Sequence, residues 1–379
     1  MLFRPLRVGP VTVGDRLSRS ATAERAADES GRPGEAIREM YLALARGGAT
    51  WINTGCAFVQ PSGRSGPDHS GMHTDEMIAP WAMVVGAVRR ERPAARLFMQ
   101  LLHGGRQVSR RCVAEPVAPS AVPVPGMTAK PREMTAREIE ECIEAFAQAA
   151  RRARDAGFDG VQLHGAHGYL ISQFLSPTVN RRTDEWGGAP ERRRRFVIET
   201  VRRVRAAIGP DLALTIKMNC EDFTPDGLTL AESCETARVL AAEGIDAIEV
   251  SGWIIGGDER QSPVRKGAPK AAEEGYYLAQ AVEIKRAAGM IPVGACGGWR
   301  TLARMEQVLE AEGLDFLAAS RPFLTEPDLL DRLRNGQPAA SCVTCNECFN
   351  ARGPVCCVLK ESGRLTPPPR PAAKDPAAP

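Results

Sequence analysis

Two histidines and a tyrosine lie within six residues of one another in the segment HGAHGY. His164, His167 and Tyr169 could together hydrogen-bond to a polarised oxygen and move a proton, as general acids and oxyanion binders do. His103 also follows an apolar run, so three of the five histidines come shortly after strand-like segments. A single histidine there is more often structural, but three that converge indicate a functional site.

Repeated units of helix and strand must position these side chains. Four segments share a helical stretch, a stop at glycine and a short apolar run: Ala45 to Gly55, Asp155 to Gly165, Ala242 to Gly252 and Ala311 to Arg321. Four further strand-like runs alternate with them: Leu17 to Thr22, Leu97 to Leu101, Leu212 to Lys217 and Ile291 to Ala295. Thr135 and Glu138 form a capping box before the helix that Gly157 ends. Eight such strands predict a single (β/α)8 TIM barrel of the α/β class, and a doubly wound sheet is disfavoured because no G-x-G-x-x-G motif opens a helix.

The barrel is expected to occupy residues 1–335, with two capping loops over its active end. These loops, Phe58 to Asp75 and Gln107 to Arg132, follow strand ends and are rich in turn-forming residues. Residues 336–363 are predicted to form a Cys-rich extension. The Pro-rich tail at 364–379 is expected to be disordered, because its composition cannot bury a core.

The charge balance argues against a polyanionic partner. The 379 residues include 49 Lys and Arg against 46 Asp and Glu, a net charge of +3, which is too weak a field to indicate nucleic acid or an anionic membrane. No apolar run reaches the roughly 20 residues of a membrane span, and the first residues lack the apolar core of a signal peptide. We expect a cytoplasmic protein that acts on a small molecule, and a homo-oligomer stays open.

The ends of the last two predicted strands carry glycines and a cation. Phosphate groups in such barrels commonly bind after strands 7 and 8, where backbone N–H groups approach the anion. Gly297, Gly298 and Arg321 fit this need, although the glycines alone would equally fit a tight turn. Gln100 and Lys217 could pair with the pyrimidine edge of a flavin and stabilise its anionic reduced form. FMN is therefore the expected ligand.

The stretch FDGVQLHGAHGYLISQFLSPTVNRRTDEWGG at 158–188 closely resembles the signature of old yellow enzyme relatives, the NADH:flavin oxidoreductases. The likeness continues through RSATAE at 19–24, QLLHGGRQ at 100–107 and the motifs at 294–298 and 320–321, so it covers nearly the whole barrel. The resemblance implies that His164 and His167 bind the carbonyl oxygen of an α,β-unsaturated substrate and that Tyr169 gives a proton to Cα. It also implies FMN contacts from Ser20, Ala21, Thr22, Ala57, Gln100, His164, Lys217, Cys296, Gly297, Gly298, Ser320 and Arg321.

The implied reaction is a ping-pong ene reduction. NAD(P)H gives hydride to the flavin and leaves, and an enone then takes that hydride at Cβ. Two histidine donors would lower the barrier, because negative charge grows on the carbonyl oxygen as hydride arrives. Two alternatives stay open: an iron–sulfur electron-transfer flavoprotein related to dienoyl-CoA reductase, and a flavin- or metal-binding protein without turnover.

Three features depart from the family pattern. Lys217 stands where many relatives carry arginine, which keeps the charge but loses the bidentate fork. Glu24 stands where some relatives carry an active-site tyrosine, so we expect its carboxylate to contact and select substrates. Five cysteines crowd into residues 342–357, and four are candidates for an iron–sulfur cluster or zinc: Cys342, Cys345, Cys348 and Cys357. Their spacing matches a cluster motif only in part, and reduced structural thiols are the alternative.

Overall fold

Eight parallel strands close into a barrel in the order in which they follow one another along the chain. They are β1 (Leu17–Arg19), β2 (Trp51–Phe58), β3 (Arg96–Leu102), β4 (Gly160–Gly165), β5 (Ala213–Asn219), β6 (Ala247–Ser251), β7 (Val293–Cys296) and β8 (Phe316–Ala319). This computed structural model describes residues 1–127, 130–369 and 371. The predicted TIM barrel is confirmed, although β1 is shorter than the apolar run Leu17 to Thr22 and β5 extends beyond Lys217.

Helices cover the outside of the barrel. They are α1 (Glu35–Arg46), α2 (Ile78–Glu91), α3 (Ala136–Asp155), α4 (Pro190–Ile208), α5 (Leu230–Ala242), α6 (Leu278–Ala288), α7 (Leu302–Ala311) and α8 (Leu329–Arg334). The α3 helix begins at the predicted capping box: the Glu138 N–H donates to Thr135 Oγ1 at 3.2 Å, and the Thr135 N–H donates to the Glu138 carboxylate at 2.8 Å. Its apolar stripe, which includes Ile139, Ile143 and Phe146, is fully buried against the barrel.

The amino-terminal end of the barrel is closed by apolar packing. A hairpin of Leu6–Val8 and Val11–Val13 lies in one apolar cluster with aromatic residues from the starts of three strands. Among these, the Trp51 and Phe316 rings have centroids 4.6 Å apart. Side chains at the opposite, carboxyl end of the strands can therefore form the open site that barrels of this kind use.

Strand register aligns charged and polar side chains at that carboxyl end. His164 on β4 pairs with Lys217 on β5, and Lys217 pairs with Glu249 on β6. Residues paired across parallel strands lie at the same height in the barrel. A histidine, an ammonium and a carboxylate thus share one level of the barrel interior.

The chain beyond α8 folds back over the carboxyl end. Ala339 forms a β-bridge with Thr301, and the Gly267 N–H donates to the Thr344 carbonyl at 3.1 Å. Farther on, the Arg332 guanidinium donates to the Pro368 carbonyl at 2.8 Å. The predicted boundaries at 335 and 363 stay predictions, and positions 128–129, 370 and 372–379, within the predicted second capping loop and tail, lie outside the described residues. None of the described helices is both long enough and apolar enough to span a bilayer.

Candidate active site

A cavity of about 360 Å³ opens at the carboxyl ends of the strands. Thirteen residues named from the sequence line it together: Ser20, Ala21, Thr22, Gln100, His164, His167, Tyr169, Lys217, Cys296, Gly297, Gly298, Ser320 and Arg321. They come from six of the eight strand ends, so only closure of the barrel brings them together. The volume falls within the range of small-molecule and cofactor sites, roughly 300–1,000 Å³.

His164 presents a neutral imidazole to this cavity. The Ala166 N–H donates to His164 Nδ1 at 3.4 Å, so the ring proton is assigned to Nε2. Burial, together with His167 and the Lys217 charge, lowers the pKa of His164 well below its usual range. The side chain therefore offers an Nε2–H donor and no net charge at neutral pH.

His167 is held against β6 by its ring and by its backbone. Its Nε2 lies 2.6 Å from Ser251 Oγ, and Cys296 Sγ donates to the same hydroxyl at 3.2 Å. When Ser251 donates to Nε2, the imidazole proton lies on Nδ1. The backbone has φ of 60°, a left-handed conformation that Asn219 Oδ1 supports by accepting the His167 N–H at 3.0 Å. Burial, with the Lys217 charge, lowers the pKa of His167 to about 3, so this ring is also a neutral donor.

Tyr169 follows the two histidines at the start of a short helix, Leu170–Leu175. Its ring packs edge-on against His164 with centroids 4.8 Å apart, and the two imidazoles are 5.3 Å apart. Burial, with a contribution from Cys56, raises the pKa of the Tyr169 phenol above its usual value. The hydroxyl therefore keeps its proton at neutral pH and can act as a proton donor.

Lys217 is buried with a counter-charge behind the cavity lining. Its Nζ donates to Ser20 Oγ at 2.7 Å and lies 2.9 Å from Glu249 Oε1. Glu249 is 1% exposed and does not line the cavity. Its other oxygen accepts from Gln162 Nε2 at 2.9 Å, and Gln162 Oε1 accepts from Gln100 Nε2 at 2.8 Å. Neither Glu249 nor Gln162 was identified from the sequence, because each is a single polar residue inside an apolar strand segment and belongs to no motif.

Arg321 follows β8, next to the glycines that follow the neighbouring strand β7. Its guanidinium donates to neutral oxygens, the carbonyls of Arg265 at 3.1 Å and Pro263 at 3.3 Å, and to the Asn346 side chain. No carboxylate of the described chain pairs with it. A Cβ on Gly298, which has φ of 75°, would come within 2.6 Å of the Tyr276 ring, so the close turn there requires glycine.

Two residues expected at the ligand do not line the cavity. The Glu24 carboxylate accepts from the Tyr41 hydroxyl and from the Gly55 N–H, the latter at 2.8 Å, and Glu24 is 1% exposed. Ala57 is fully buried in the core, and its neighbour Cys56 faces the cavity instead. His103 is also turned away, since its Nδ1 accepts from the Gly105 N–H at 3.0 Å. We therefore exclude Glu24 from the proposed substrate site; its side chain supports the loop that carries Thr22.

The structure adds wall residues that the sequence did not identify. They come from β2 and the loop after it, from the turn after β6 and from the Cys-rich segment: Cys56, His69, Trp253, Ile255, Thr344 and Phe349. Cys56 Sγ lies 3.8 Å from His69 Nδ1, which is also 2.9 Å from Ser65 Oγ. His69 falls in the predicted capping loop, so the expectation that this loop covers the site could have identified it. Thr344 and Phe349 had no such signal.

Four cysteines surround a second, smaller cavity next to Arg321. Cys342, Cys345, Cys348 and Cys357 line it, with about 20 Å³ of free volume. Burial raises the pKa of Cys348 to about 11 against the opposing effect of the nearby Arg321 charge, so its free thiol is protonated. Within the described residues, no group of three or more His, Cys, Asp or Glu is placed to hold a single metal ion.

Polar donors and an arginine without a carboxylate partner in the described chain meet at the carboxyl end of a closed barrel, where barrels of this kind commonly bind small phosphorylated ligands. The chain belongs to the NADH:flavin oxidoreductase / NADH oxidase family, whose model matches residues 1–340. Membership confirms the predicted family, and with it FMN as the cofactor.

Relatives and solved structures agree with this assignment. An NADH oxidase of Thermoanaerobacter brockii is 34% identical over 350 residues, which is 91% of this chain and 52% of that protein. An NADPH dehydrogenase of Geobacillus sp. (strain WCH70) is 34% identical over 329 residues, which is 86% of this chain and 92% of that protein. A 2-naphthoyl-CoA reductase in complex with 2-naphthoyl-CoA superposes with a TM-score of 0.82 at 28% identity, over 92% of this chain and 54% of that one. This chain thus spans about half the length of the first and third of these proteins.

Proposed function

We propose that this chain is an FMN-dependent ene-reductase that uses NAD(P)H to reduce the C=C bond of α,β-unsaturated carbonyl compounds. The observation that carries the proposal is the convergence of His164, His167 and Tyr169 on one cavity that Gln100, Lys217 and Arg321 also line. The NADPH dehydrogenase relative, 92% of whose length this chain covers, favours this activity over an electron-transfer flavoprotein. We further propose that it works in the cytoplasm, where NAD(P)H is supplied.

The residues at the cavity fit the cofactor of the family. Arg321 is a cation without a carboxylate partner in the described chain, as a phosphate group requires, and the turn at Gly298 brings backbone close to it. Lys217 and Gln100 line the same cavity at other strand ends and would hold the pyrimidine edge. FMN bound there would accept hydride from NAD(P)H and supply it to the substrate.

The chain's own side chains then bind and protonate the substrate. Neutral imidazoles at 164 and 167 donate hydrogen bonds to the carbonyl oxygen, and they stabilise the charge that develops on it. Tyr169 holds its proton because burial raises its pKa, so the phenol delivers that proton to Cα. Apolar walls from Trp253 and Ile255 exclude water from the reacting carbon.

The decisive experiment is turnover by purified protein loaded with FMN. NAD(P)H oxidation that depends on 2-cyclohexenone, with cyclohexanone as product, is the expected result. Anaerobic assays are needed, because oxygen would otherwise reoxidise the flavin. Flavin-loaded protein that consumes no NAD(P)H with any enone would reject the proposal and support a flavin-binding protein without turnover.

We also propose that the four thiols around the second cavity hold an iron–sulfur cluster. Cys342, Cys345, Cys348 and Cys357 share one cavity. A tetrahedral zinc site requires thiolates only about 3.8 Å apart, from a Zn–S bond of about 2.3 Å. The four thiols around the cavity do not form a single-ion site, whereas a cluster of several irons separates its ligands more widely. Iron and acid-labile sulfide analysis of anaerobically purified protein tests this, and zinc in place of iron would refute it.

A further inference from the structure

Glu249 lies directly behind the part of the cavity lined by Lys217 and Gln100. Its carboxylate accepts hydrogen bonds from Ser20 Oγ at 2.6 Å and Gln162 Nε2 at 2.9 Å, and it forms an ion pair with Lys217. Each partner is at least 95% buried. A buried carboxylate that accepts three such contacts is costly to remove from water, so its placement requires a reason beyond packing.

We propose that Glu249 is a positioning residue that orients both side chains recognising the flavin pyrimidine and sets the charge beside it. The inference rests on the proposed FMN site. Glu249 would act through Lys217 on one side and through Gln162 on Gln100 on the other, without touching the cofactor.

Glu249 acts first on the Lys217 ammonium, and we call this effect the charge arm. An ammonium has three N–H donors, and Ser20 Oγ and Glu249 Oε1 take two of them at 2.7 and 2.9 Å. Because Lys217 also lines the cavity, its third donor is left for the ligand. Glu249 therefore orients that donor and neutralises most of the positive charge next to the flavin. As a result, the paired lysine stabilises the reduced, anionic flavin less than a lysine without a counter-charge would.

Glu249 acts second, through Gln162, on the direction in which the Gln100 amide faces, and we call this effect the orienting arm. A carboxylate only accepts hydrogen bonds, so Gln162 must present its NH₂ to Glu249 and its carbonyl oxygen to Gln100. Gln100 in turn must donate its NH₂ to Gln162, at 2.8 Å. Its carbonyl Oε1 is then left as an acceptor beside the cavity, as the N3–H of a flavin pyrimidine requires. One carboxylate thus determines the polarity of two glutamines.

The charge arm is tested with Glu249→Gln, which keeps the shape and removes the charge. The measured quantity is the two-electron reduction potential of the bound flavin, obtained by anaerobic spectroscopic titration against a reference dye. We expect a positive shift equivalent to at least a tenfold change in the reduced-to-oxidised ratio, about 30 mV for a two-electron couple. Because the carboxylate and the ammonium act on the flavin with opposite signs, the double variant Glu249→Gln/Lys217→Met should have a potential close to the wild-type value.

The matched control removes a buried carboxylate at the other end of the barrel. Asp15 is fully buried and accepts from the Leu17 N–H at 3.1 Å. Asp15→Asn should leave the flavin potential unchanged. An equal shift in Asp15→Asn, or no shift in Glu249→Gln, would overturn the charge arm. Wild-type protein that binds no FMN would instead refute the proposed function.

The orienting arm is tested with Gln162→Met, which breaks the relay and leaves both charges. Apoprotein titrated with FMN and followed by flavin fluorescence should bind at least tenfold more weakly, while the potential stays near the wild-type value. Unchanged FMN affinity would overturn the orienting arm. If Glu249→Gln does not fold by itself, the double variant Glu249→Gln/Lys217→Met, which leaves neither charge unpaired, is compared with Lys217→Met. A more positive potential in the double variant is expected, and equal potentials would overturn the charge arm.

Discussion

Replacing His164 by alanine tests the role of the neutral imidazole donor. The Ala166 N–H on Nδ1 and the lowered pKa of the ring together leave one Nε2–H donor for the substrate oxygen. Alanine removes this donor and leaves His167 as the remaining imidazole. Loss of one preorganised donor to a developing oxyanion costs roughly 2.7–4 kcal/mol, a factor of about 10²–10³ in rate.

The assay follows enone reduction by the reduced protein under anaerobic stopped-flow conditions. His164→Ala should slow this half-reaction by about 10²–10³ and weaken the binding of phenolic ligands by about tenfold or more, as the loss of a hydrogen bond to a charged acceptor predicts. His164→Asn keeps an N–H donor and should recover part of the rate. The matched control is His73→Ala, because the His73 ring packs at a tilt against Phe58, with centroids 4.6 Å apart, and does not line the cavity. Wild-type rate and phenol affinity in His164→Ala would refute the assigned role.

Three further outcomes follow from the same contacts. Glu24→Gln should lower the free energy of unfolding by about 1–3 kcal/mol because it weakens the buried bonds to Tyr41 and Gly55, and the ranking of enone substrates should not change; a changed ranking would return Glu24 to the substrate site. Burial lowers the pKa of His167 from 6.5 to about 3, so the unfolded chain takes up a proton at a higher pH than the folded protein does. The stability that the neutral buried ring contributes is therefore complete above pH 6.5 and is lost as the pH falls toward 3. Urea unfolding at pH 7.5 and pH 5 should show a smaller decrease for His167→Asn than for wild type, and equal decreases would contradict a buried neutral ring. Cys348→Ser should lose most of the iron that wild-type protein retains, and retention of all of it would remove Cys348 from the ligand set.

Local sequence patterns predicted the barrel well, because each unit carries its own signals. The capping box at Thr135 and the glycine stop at Gly157 depend on residues close in sequence, and both mark the ends of α3 as expected. The periodic strands then fix which side chains reach the carboxyl end. Thirteen residues line the cavity that were named from these strand ends or from the family resemblance, among them His164, Lys217 and Arg321.

The remaining site residues depended on contacts distant in sequence. Glu24 follows β1 closely and was expected at the ligand, but Tyr41 of α1 offers it a buried hydroxyl that no local pattern reveals. The register of β2 against β3 is irregular between Asn53 and Cys56. In this strand Cys56, and not Ala57, faces the cavity. Thr344 reaches the wall only because the chain folds back after α8. The pairing of Lys217 with Glu249 likewise appears only when β5 and β6 are aligned.

FMN in this cavity is expected to pass electrons from NAD(P)H to an enone. The anaerobic visible spectrum of the FMN-loaded protein tests this in one titration. The flavin absorbance should be lost on addition of stoichiometric NAD(P)H and should return fully on addition of 2-cyclohexenone. Absorbance that is lost and does not return with any enone, or protein that retains no flavin, would contradict the account.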